Sequence, residues 1–495
     1  MQNSRNAALA AGLSHYFDEC WWLNFASIVL FALFCLVPSI AQQPANTITD
    51  SSAGPPPSAP ASPQTPDNSG TQSNGTQNPA QPAALSNSEQ RKKICARPAD
   101  PNFRTFGCRD QDVDWEDTLS YDLDNGVIRE KLHERGFTPT ISYYLATQTN
   151  ATGGTHAIWA YAGMFSAAVN LDFDKLLKIP GMSFYLDGRW GTGSNLSTDL
   201  GAVFPVNTVY ALGAWFGEMY LQQKFLRGDL TIVLGRFGAN GTFATLPVLS
   251  NYVSLGLFPT PMSMIANDYA YGGPPPGNQW AAQALYDISP EVQLAAGVFN
   301  NNLNSSHDAN IFAFQQGNKG ALVAAQITYF HHQRITDTRK YGQYTAGFFE
   351  DNNAFTTLAN AAVKSQGNAG LFVLGQQMVY RPHGPGTPQG LMIWGAYTYT
   401  SRQVIDSMPI YGGAGLSYQG LFHSRSRDIT SVGWAYGLTS KYIQNASYSN
   451  MLEVNYQWFP KRYLTIIPDF QYLLNPKGTI SSNAAVFGVQ VNLVF

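Results

Sequence analysis

Large apolar and polar residues alternate along most of the chain after about residue 137. The clearest case is the carboxyl end, A-V-F-G-V-Q-V-N-L-V-F (485–495), where apolar residues occupy every second position. Successive side chains of a strand point to opposite faces, so this period indicates a β-strand. Lipid against one face and an aqueous lumen against the other produce such a pattern. A terminal Phe495 is also typical of bacterial outer-membrane barrels. The segment therefore predicts the strand that closes a transmembrane barrel.

The same alternation predicts sixteen strands separated by turn residues. They span about residues 137–149, 156–173, 182–192, 209–226, 230–239, 280–289, 292–301, 321–332, 340–349, 370–382, 390–403, 410–422, 431–442, 448–460, 464–475 and 483–495. The number is even, as a single-chain barrel with both ends in the periplasm requires, and short turns alternate with long polar loops. We therefore predict an all-β fold, a 16-stranded antiparallel transmembrane β-barrel of the bacterial outer membrane.

The longest connection runs from about residue 240 to 279 and contains Pro247, Pro259, Pro261 and the run Pro274–Pro276. A free loop of this length is unusual and often functional. Sixteen strands enclose an aqueous channel rather than a packed interior. We expect this loop to fold inward and narrow the channel. The alternative is a loop that covers the mouth or contacts a neighbouring subunit.

The amino-terminal region divides into three segments before the barrel domain at 137–495. Residues 1–41 are predicted to be a signal peptide, because the apolar run 25–41 ends with Pro38 and the small residues of S-I-A. Residues 42–90 are rich in Pro, Ala, Ser and Gln, which predicts a disordered periplasmic tether. Residues 91–136 are predicted to be a periplasmic segment with a short helix. Cys95 and Cys108 are candidates for a disulfide there, and two free thiols are the alternative.

Composition agrees with a barrel. Charged residues make up 12% of the 495 positions, aromatic residues make up 13%, and the net charge is −3. This balance excludes a basic nucleic-acid binder, so no nucleic acid is expected as a partner. A soluble lectin or a propeller is the alternative, but a propeller would repeat a blade signature, and the chain shows none.

Several stretches resemble the OprB family of carbohydrate-selective porins. They are G-V-I-R-E-K-L-H-E-R-G-F-T-P (126–139), N-L-D-F-D-K-L-L-K-I-P-G-M-S-F (170–184), L-T-I-V-L-G-R-F (230–237), E-V-N-Y-Q-W-F-P (453–460), I-I-P-D-F-Q-Y-L-L-N-P (466–476) and N-A-A-V-F-G-V-Q-V-N-L-V-F (483–495). The resemblance implies a sixteen-stranded barrel, a short periplasmic segment before the first strand, and passive diffusion of monosaccharides such as glucose.

The expected partners are small neutral sugars, outer-membrane lipid and lipopolysaccharide. A homo-oligomer is left open. A general porin without sugar preference, or a structural or adhesin barrel, are the alternative functions.

A lumen that favours sugars needs hydrogen-bonding groups on fixed walls and planar apolar faces. Alternation places ten such residues on the lumen side: Asp187, Arg189, Glu218, Tyr220, Gln222, Arg381, Arg402, Glu453, Asp469 and Gln471. The same alternation puts Trp215, Met219 and Leu221 on the lipid side. The alternative for each polar residue is a structural role, since inward charges line any porin and pair with neighbours.

Arg236 is an eleventh candidate with two orientations. If Ile232 and Leu234 face lipid, Arg236 follows them outward, and if Val233 and Phe237 face lipid, Arg236 enters the lumen. The family resemblance favours the lumen.

An outer-membrane enzyme is the rival class. It would need a Ser, a His and an orienting partner at one level of the wall. G-L-S-Y-Q (415–419) fails the G-x-S-x-G pattern at its last position, and His331 and His332 lack the nearby carboxylates of a metal site. No enzyme activity, metal or cofactor is therefore expected.

Overall fold

The structure is a computed structural model that describes residues 127–154, 156–209, 213–271, 278–300, 320–333, 340–382 and 389–495, together with Leu119. The predicted signal peptide, the tether, and Cys95 and Cys108 lie outside the described residues. Within the described ranges, no helix has the length and apolar character needed to span a bilayer.

Sixteen strands are found in the described part of the chain. They are β1 (Phe137–Thr152), β2 (Trp159–Asp172), β3 (Met182–Gly193), β4 (Gly213–Phe225), β5 (Leu230–Phe237), β6 (Gln279–Ser289), β7 (Val292–Phe299), β8 (Leu322–His331), β9 (Gly342–Thr356), β10 (Lys364–Tyr380), β11 (Gly390–Thr400), β12 (Ile410–Gln419), β13 (Ile429–Leu438), β14 (Tyr448–Lys461), β15 (Leu464–Leu474) and β16 (Ala484–Val494).

Four helices accompany these strands: α1 (Val127–Glu134), α2 (Phe173–Leu177), α3 (Leu196–Leu200) and α4 (Met262–Asn267). Short 3₁₀ turns occupy Leu226–Gly228, Ala239–Gly241, Pro247–Asn251, Leu255–Leu257 and Tyr269–Tyr271.

Each strand pairs antiparallel with the next, and β1 pairs with β16 to close the barrel. At the closing seam Tyr144 lies opposite Asn492, and on its other side it lies opposite Met164 of β2. Closure leaves no open sheet edge, so the backbone groups of every strand find partners within the membrane. The prediction of a sixteen-stranded antiparallel barrel is confirmed.

The hairpin of β9 and β10 is longer than predicted. Its pairing continues upward to Thr356 opposite Lys364, whereas the sequence suggested an end near residue 349 and a new start near residue 370. The added residues, E-D-N-N-A-F-T and K-S-Q-G-N-A, are mainly polar. Polar residues on both faces carry no alternation signal, although their backbones pair as well as any others.

The outer face of the barrel exposes large apolar side chains, including Trp159, Trp190, Phe216, Phe348, Val373 and Phe487. The inner face carries the polar half of the alternation. A lipid-facing surface of this kind is what the bilayer interior requires.

Two stretches between strands pack inside the barrel. Inner segment 2 (residues 238–271) follows β5 and buries Phe243, Leu246, Val248, Leu249 and Leu257 against the wall. This is the inward fold expected for the long connection. Inner segment 1 (residues 194–209) follows β3 and buries Leu196, Leu200, Phe204 and Val206 in the same cluster. Inner segment 1 was not expected from the sequence.

Helix α1 is held against the closing seam. The guanidinium of Arg129 donates from Nη1 to the main-chain oxygen of Phe495 (2.8 Å) and from Nη2 to Oγ1 of Thr140 (3.4 Å). The backbone N–H of Phe495 in turn donates to the carbonyl of Ile141 (2.8 Å). The helix before the first strand thus contacts the last residue of the chain.

Candidate functional site

Much of the inner wall is covered by the inner segments. Polar side chains on β8, β10 and β14 bind the backbone of inner segment 2. Gln326 Oε1 accepts from the N–H of Ala244 (3.1 Å), and Gln376 Oε1 accepts from the N–H of Val248 (2.9 Å). The inward polar residues of these strands therefore anchor the segment.

Glu453 and Tyr252 show how closely inner segment 2 is bound. The carboxylate of Glu453 accepts from the N–H groups of Val253 (2.7 Å) and Ser254 (3.0 Å) and is fully buried. The hydroxyl of Tyr252 donates to a wall carbonyl and accepts from Nε1 of Trp394 (2.9 Å). Since these groups are satisfied by the segment, they are not available to a solute.

A second part of the wall, on β2, β3 and β4, remains open. Here Arg189 lies directly opposite Ser166 on β2 and Trp215 on β4. Tyr185 lies opposite Asn170 on one side and Tyr220 on the other. Directly opposite residues share a face, so all of these side chains point inward. We call this surface the open wall.

An ion pair stands at the centre of the open wall. Nε of Arg189 donates to Oδ2 of Asp187 at 2.7 Å. The Arg189 side chain is 35% exposed, whereas that of Asp187 is 1% exposed. Oδ1 of Asp187 also accepts from the backbone N–H of Glu218. The carboxylate is thus occupied by the protein, and the guanidinium keeps N–H donors directed at the lumen.

Aromatic rings extend the open wall towards the periplasm. The rings of Tyr185 and Tyr220 stack with centroids 5.1 Å apart and planes 23° apart. Tyr220 also meets Phe237 edge to face, at 5.9 Å. The inward positions of β2 opposite the ion pair are small, with Ala168 beside Asp187 and Ser166 beside Arg189. Flat rings and small neighbours leave space for a solute along the wall.

The strand pairing is interrupted beside Asp187. The register between β3 and β4 shifts between Leu186 and Gly188, so that two residues, Gly217 and Glu218, lie opposite Asp187 alone. This is a β-bulge, which reverses the side to which the following residues point. Trp215 consequently lies on the inner face and Phe216 on the outer face.

The sequence of the barrel matches the family described as "Carbohydrate-selective porin, OprB family" over residues 158–495. The chain belongs to this family of porins. Porin B of Pseudomonas aeruginosa is a relative with 24% identity over 420 residues, which is 75% of this chain and 90% of that protein. OprB-family members are channels, and the chain is an outer-membrane porin for carbohydrates.

Two solved OprB structures from Pseudomonas putida resemble the barrel. The high-pH structure has a TM-score of 0.68 and 22% identity, covering 75% of this chain and 97% of that one. The low-pH structure has a TM-score of 0.51 and 20% identity, covering 77% and 98%. At these identities the matches bear on the fold alone, and they agree with a porin barrel.

The structure brings five of the eleven predicted lumen residues together on the open wall: Asp187, Arg189, Glu218, Tyr220 and Gln222. Three others, Glu453, Asp469 and Gln471, lie on the inner face but are buried. Gln471 Nε2 donates to the carbonyl of Val206 in inner segment 1 (2.7 Å) and to Oδ2 of Asp469 (2.8 Å). In this OprB-type barrel Glu453 and Gln471 therefore hold the inner segments, and Asp469 binds Gln471.

Two arginines lie outside the strands on which the sequence placed them. β11 ends at Thr400, and Arg402 is exposed in the following loop, where Nη1 donates to Oγ of Ser365 (3.3 Å). Its predicted lumen position was wrong, because polar T-S-R-Q extends the pattern beyond the last paired residue. β10 ends at Tyr380, and Arg381 follows it, with its guanidinium 5.8 Å from the ring centroid of Tyr341.

Arg236 is buried within the barrel wall, with 8% of the residue exposed. Val233 and Phe237 belong to the buried interior cluster, and alternation from them turns Arg236 towards the face of Met219. Its Nε donates to the carbonyl of Asn278 (3.0 Å). The lumen position favoured by the resemblance stays a prediction.

Sequence reasoning missed Trp215 and Tyr185. The signal for Trp215 was present: two large apolar residues, Trp215 and Phe216, stand side by side, and Gly217 follows. Adjacent large residues before a glycine break the period of two and are typical of a bulge. Within the described ranges, no group of three or more His, Cys, Asp or Glu side chains is arranged to hold a metal.

Proposed function

We propose that neutral sugars of monosaccharide size, such as glucose, cross this porin along the open wall of β2, β3 and β4. The observation that carries the proposal is the partly exposed side chain of Arg189, whose Nε is bound to the buried carboxylate of Asp187. A fixed arginine presents N–H donors in a planar fork, a geometry that suits neighbouring hydroxyl oxygens. Passage by diffusion needs no reaction chemistry and no cofactor.

The charges of the open wall favour neutral solutes. Arg189 is flanked by two carboxylates, Asp187 and Glu218, so that a cation and two anions lie close together. Such a group attracts neither small anions nor large cationic solutes strongly, but it offers both donors and acceptors to hydroxyls. The stacked Tyr185 and Tyr220 add flat apolar surface for the C–H groups of a ring.

The two inner segments support a narrow passage. Inner segment 2 is bound by polar side chains of β8, β10 and β14, and inner segment 1 is bound by Gln148 of β1 and Gln471 of β15. A general porin without sugar preference would also have an inward loop. A contact between Arg189 and the sugar is what distinguishes a carbohydrate-selective porin from a general porin.

Replacement of Arg189 tests the proposal. In planar bilayers with glucose added, we expect Arg189→Gln to weaken the sugar-dependent block of ion current several-fold, since hydroxyl partners in a wet channel contribute about 1 kcal/mol. Arg189→Lys should be intermediate, because the charge remains while the planar fork is lost. Arg402→Gln is the matched control, since that arginine is exposed in an outer loop. Unchanged block in Arg189→Gln would favour the general porin.

Further partners follow from the outer surface. We propose that outer-membrane lipid contacts the apolar side chains of the outer face, and that lipopolysaccharide contacts the extracellular end of the barrel. A homo-oligomer stays an open prediction. The signal peptide (1–41), the tether (42–90), and the Cys95–Cys108 bridge within segment 91–136 likewise stay predictions from the sequence.

A further inference from the structure

The bulge in β4 changes what the open wall presents to a solute. On the periplasmic side of the bulge Tyr220 and Gln222 face inward, and on the extracellular side Trp215 does. Without the extra residue, Trp215 would point outward with Met219 and Leu221. The bulge therefore moves one large aromatic residue from the lipid side to the lumen, directly opposite Arg189.

Glycine at the bulge leaves room for the Asp187 side chain. A Cβ at position 217 would lie 2.0 Å from Oδ1 of Asp187, so the carboxylate would have to move away from its present position. The absence of that atom lets Asp187 reach the N–H of Glu218 while it pairs with Arg189. One carboxylate thus fixes both the bulge and the arginine.

The bulge is also held by Asn278, the residue before β6. Nδ2 of Asn278 donates to the carbonyl of Gly217 (2.6 Å), and the carbonyl of Asn278 accepts from Nε of Arg236 (3.0 Å). Arg236 therefore acts as a positioning residue. It binds Asn278, and Asn278 in turn binds the bulge. Bulges next to functional sites commonly re-aim a side chain, and the supports on both sides of this one indicate a defined orientation for Trp215.

We propose that Trp215 and Arg189 form a binding subsite for a pyranose ring. The indole face contacts the apolar C–H face of the sugar, and the guanidinium donates to its hydroxyls. Side chains directly opposite on paired strands start about 5 Å apart, so both reach one bound ring. The half-buried Trp215 retains exposed surface for this contact. The subsite rests on the proposed passage along the open wall and adds its ligand geometry.

Tryptophan variants test the subsite, with glucose and the open-chain alditol sorbitol as probes of ion-current block. Glucose has a rigid ring face, whereas sorbitol carries hydroxyls without one. We expect Trp215→Ala to weaken glucose block about fivefold and leave sorbitol block nearly unchanged, as a lost aromatic contact would. Trp215→Phe should retain most of the glucose block. Trp190→Ala is the matched control, because Trp190 is on the outer face and lies directly opposite Ala214, the residue next to Trp215.

The outcomes separate the subsite from the broader proposal. If Arg189→Gln loses glucose block and Trp215→Ala keeps it, the subsite is overturned and passage along the open wall stands. If neither variant changes the block, both proposals are overturned. Heat-modifiable gel mobility establishes that each barrel is closed, and Trp215→Phe keeps the test decisive if the alanine variant does not assemble. Equal loss of glucose and sorbitol block in Trp215→Phe would also contradict ring stacking.

Discussion

Buried carboxylates in this porin differ according to which groups donate to them. Asp187 receives a guanidinium and a backbone N–H, and Glu453 receives two backbone N–H groups. Asp406, in the loop after β11, receives the side-chain amide of Asn368 (2.8 Å) and is fully buried. Burial raises the pKa of Asp406 from 3.8 to about 6, although hydrogen bonds from Thr400 and Asn368 act in the other direction.

This pKa makes the stability of the extracellular loop depend on pH. A carboxyl whose pKa is higher in the folded state than in the unfolded state binds its proton more tightly when folded. The neutral Asp406 therefore stabilises the fold fully below about pH 4, and this contribution is lost as the pH rises through about 6. Asp268 of inner segment 2 contributes in the same direction, because burial and the Asp351 carboxylate raise its pKa. Arg402 opposes the effect at Asp406.

We predict that Asp406→Asn flattens the fall in stability between pH 4 and pH 7. The wild-type loss from this group is at most about 3 kcal/mol. The melting temperature in detergent at pH 4, 5.5 and 7 measures it. Asp199→Asn, which removes an exposed carboxyl from α3, should keep the wild-type slope. An Asp406→Asn slope equal to that of the wild type would show that other groups control the pH response.

At the scale of strands and segments, alternation was enough to predict the number of strands but not every inward side chain. The number of strands follows from the turns and from the runs of alternating residues, and a small error in register changes neither of them. Whether Trp215 faces the lumen depends on the one extra residue of the bulge at Gly217. An insertion of one residue turns all side chains beyond it to the opposite face of the sheet. Inner segment 1 was not predicted because its turns and the short helix α3 resemble an ordinary loop in the sequence. Its inward position depends on contacts with distant residues, since Gln148 and Gln471 both donate to it.

Inner segment 2 should loosen when its buried anchor is removed. Glu453→Ala leaves the N–H groups of Val253 and Ser254 buried without their acceptor, which costs about 1–3 kcal/mol each. We expect larger single-channel conductance and more open-channel noise, with weaker glucose block. Glu453→Gln should be milder, since one amide oxygen can still accept.

Glu350→Ala provides the comparison for this variant, because Glu350 is exposed on β9. Its conductance should equal that of the wild type. Identical traces from Glu453→Ala would mean that the remaining wall contacts, such as those of Gln326 and Gln376, hold inner segment 2 without the carboxylate.

At the scale of the whole molecule, the barrel closes where β1 and the preceding helix α1 meet the last residue, Phe495. The N–H of Phe495 donates to the carbonyl of Ile141, and Arg129 of α1 donates to the main-chain oxygen of Phe495. A missing pair at the seam would leave backbone groups unsatisfied in a region that excludes water. The last residue therefore contributes to the sheet and to the docking of α1.

Deletion of Phe495 should lower the temperature at which the compact gel form converts to the extended form. Arg129→Ala should lower it less, by the loss of about 1–3 kcal/mol for a hydrogen bond to a charged donor. Removal of a single residue from segment 42–90 is the control and should leave the transition unchanged. Equal transitions for the Phe495 deletion and this control would place the closing contacts elsewhere.

The unequal use of the inner wall has a consequence for how this porin can change. Side chains on β8, β10 and β14 are committed to holding inner segment 2, so substitutions there disturb the interior architecture. The open wall of β2, β3 and β4 instead presents Arg189 and Tyr185 without supporting that segment. Different strands therefore determine solute preference and support the interior of the barrel. New preferences can evolve, or be engineered, by exchanging a few residues of the open wall while the supporting half stays constant.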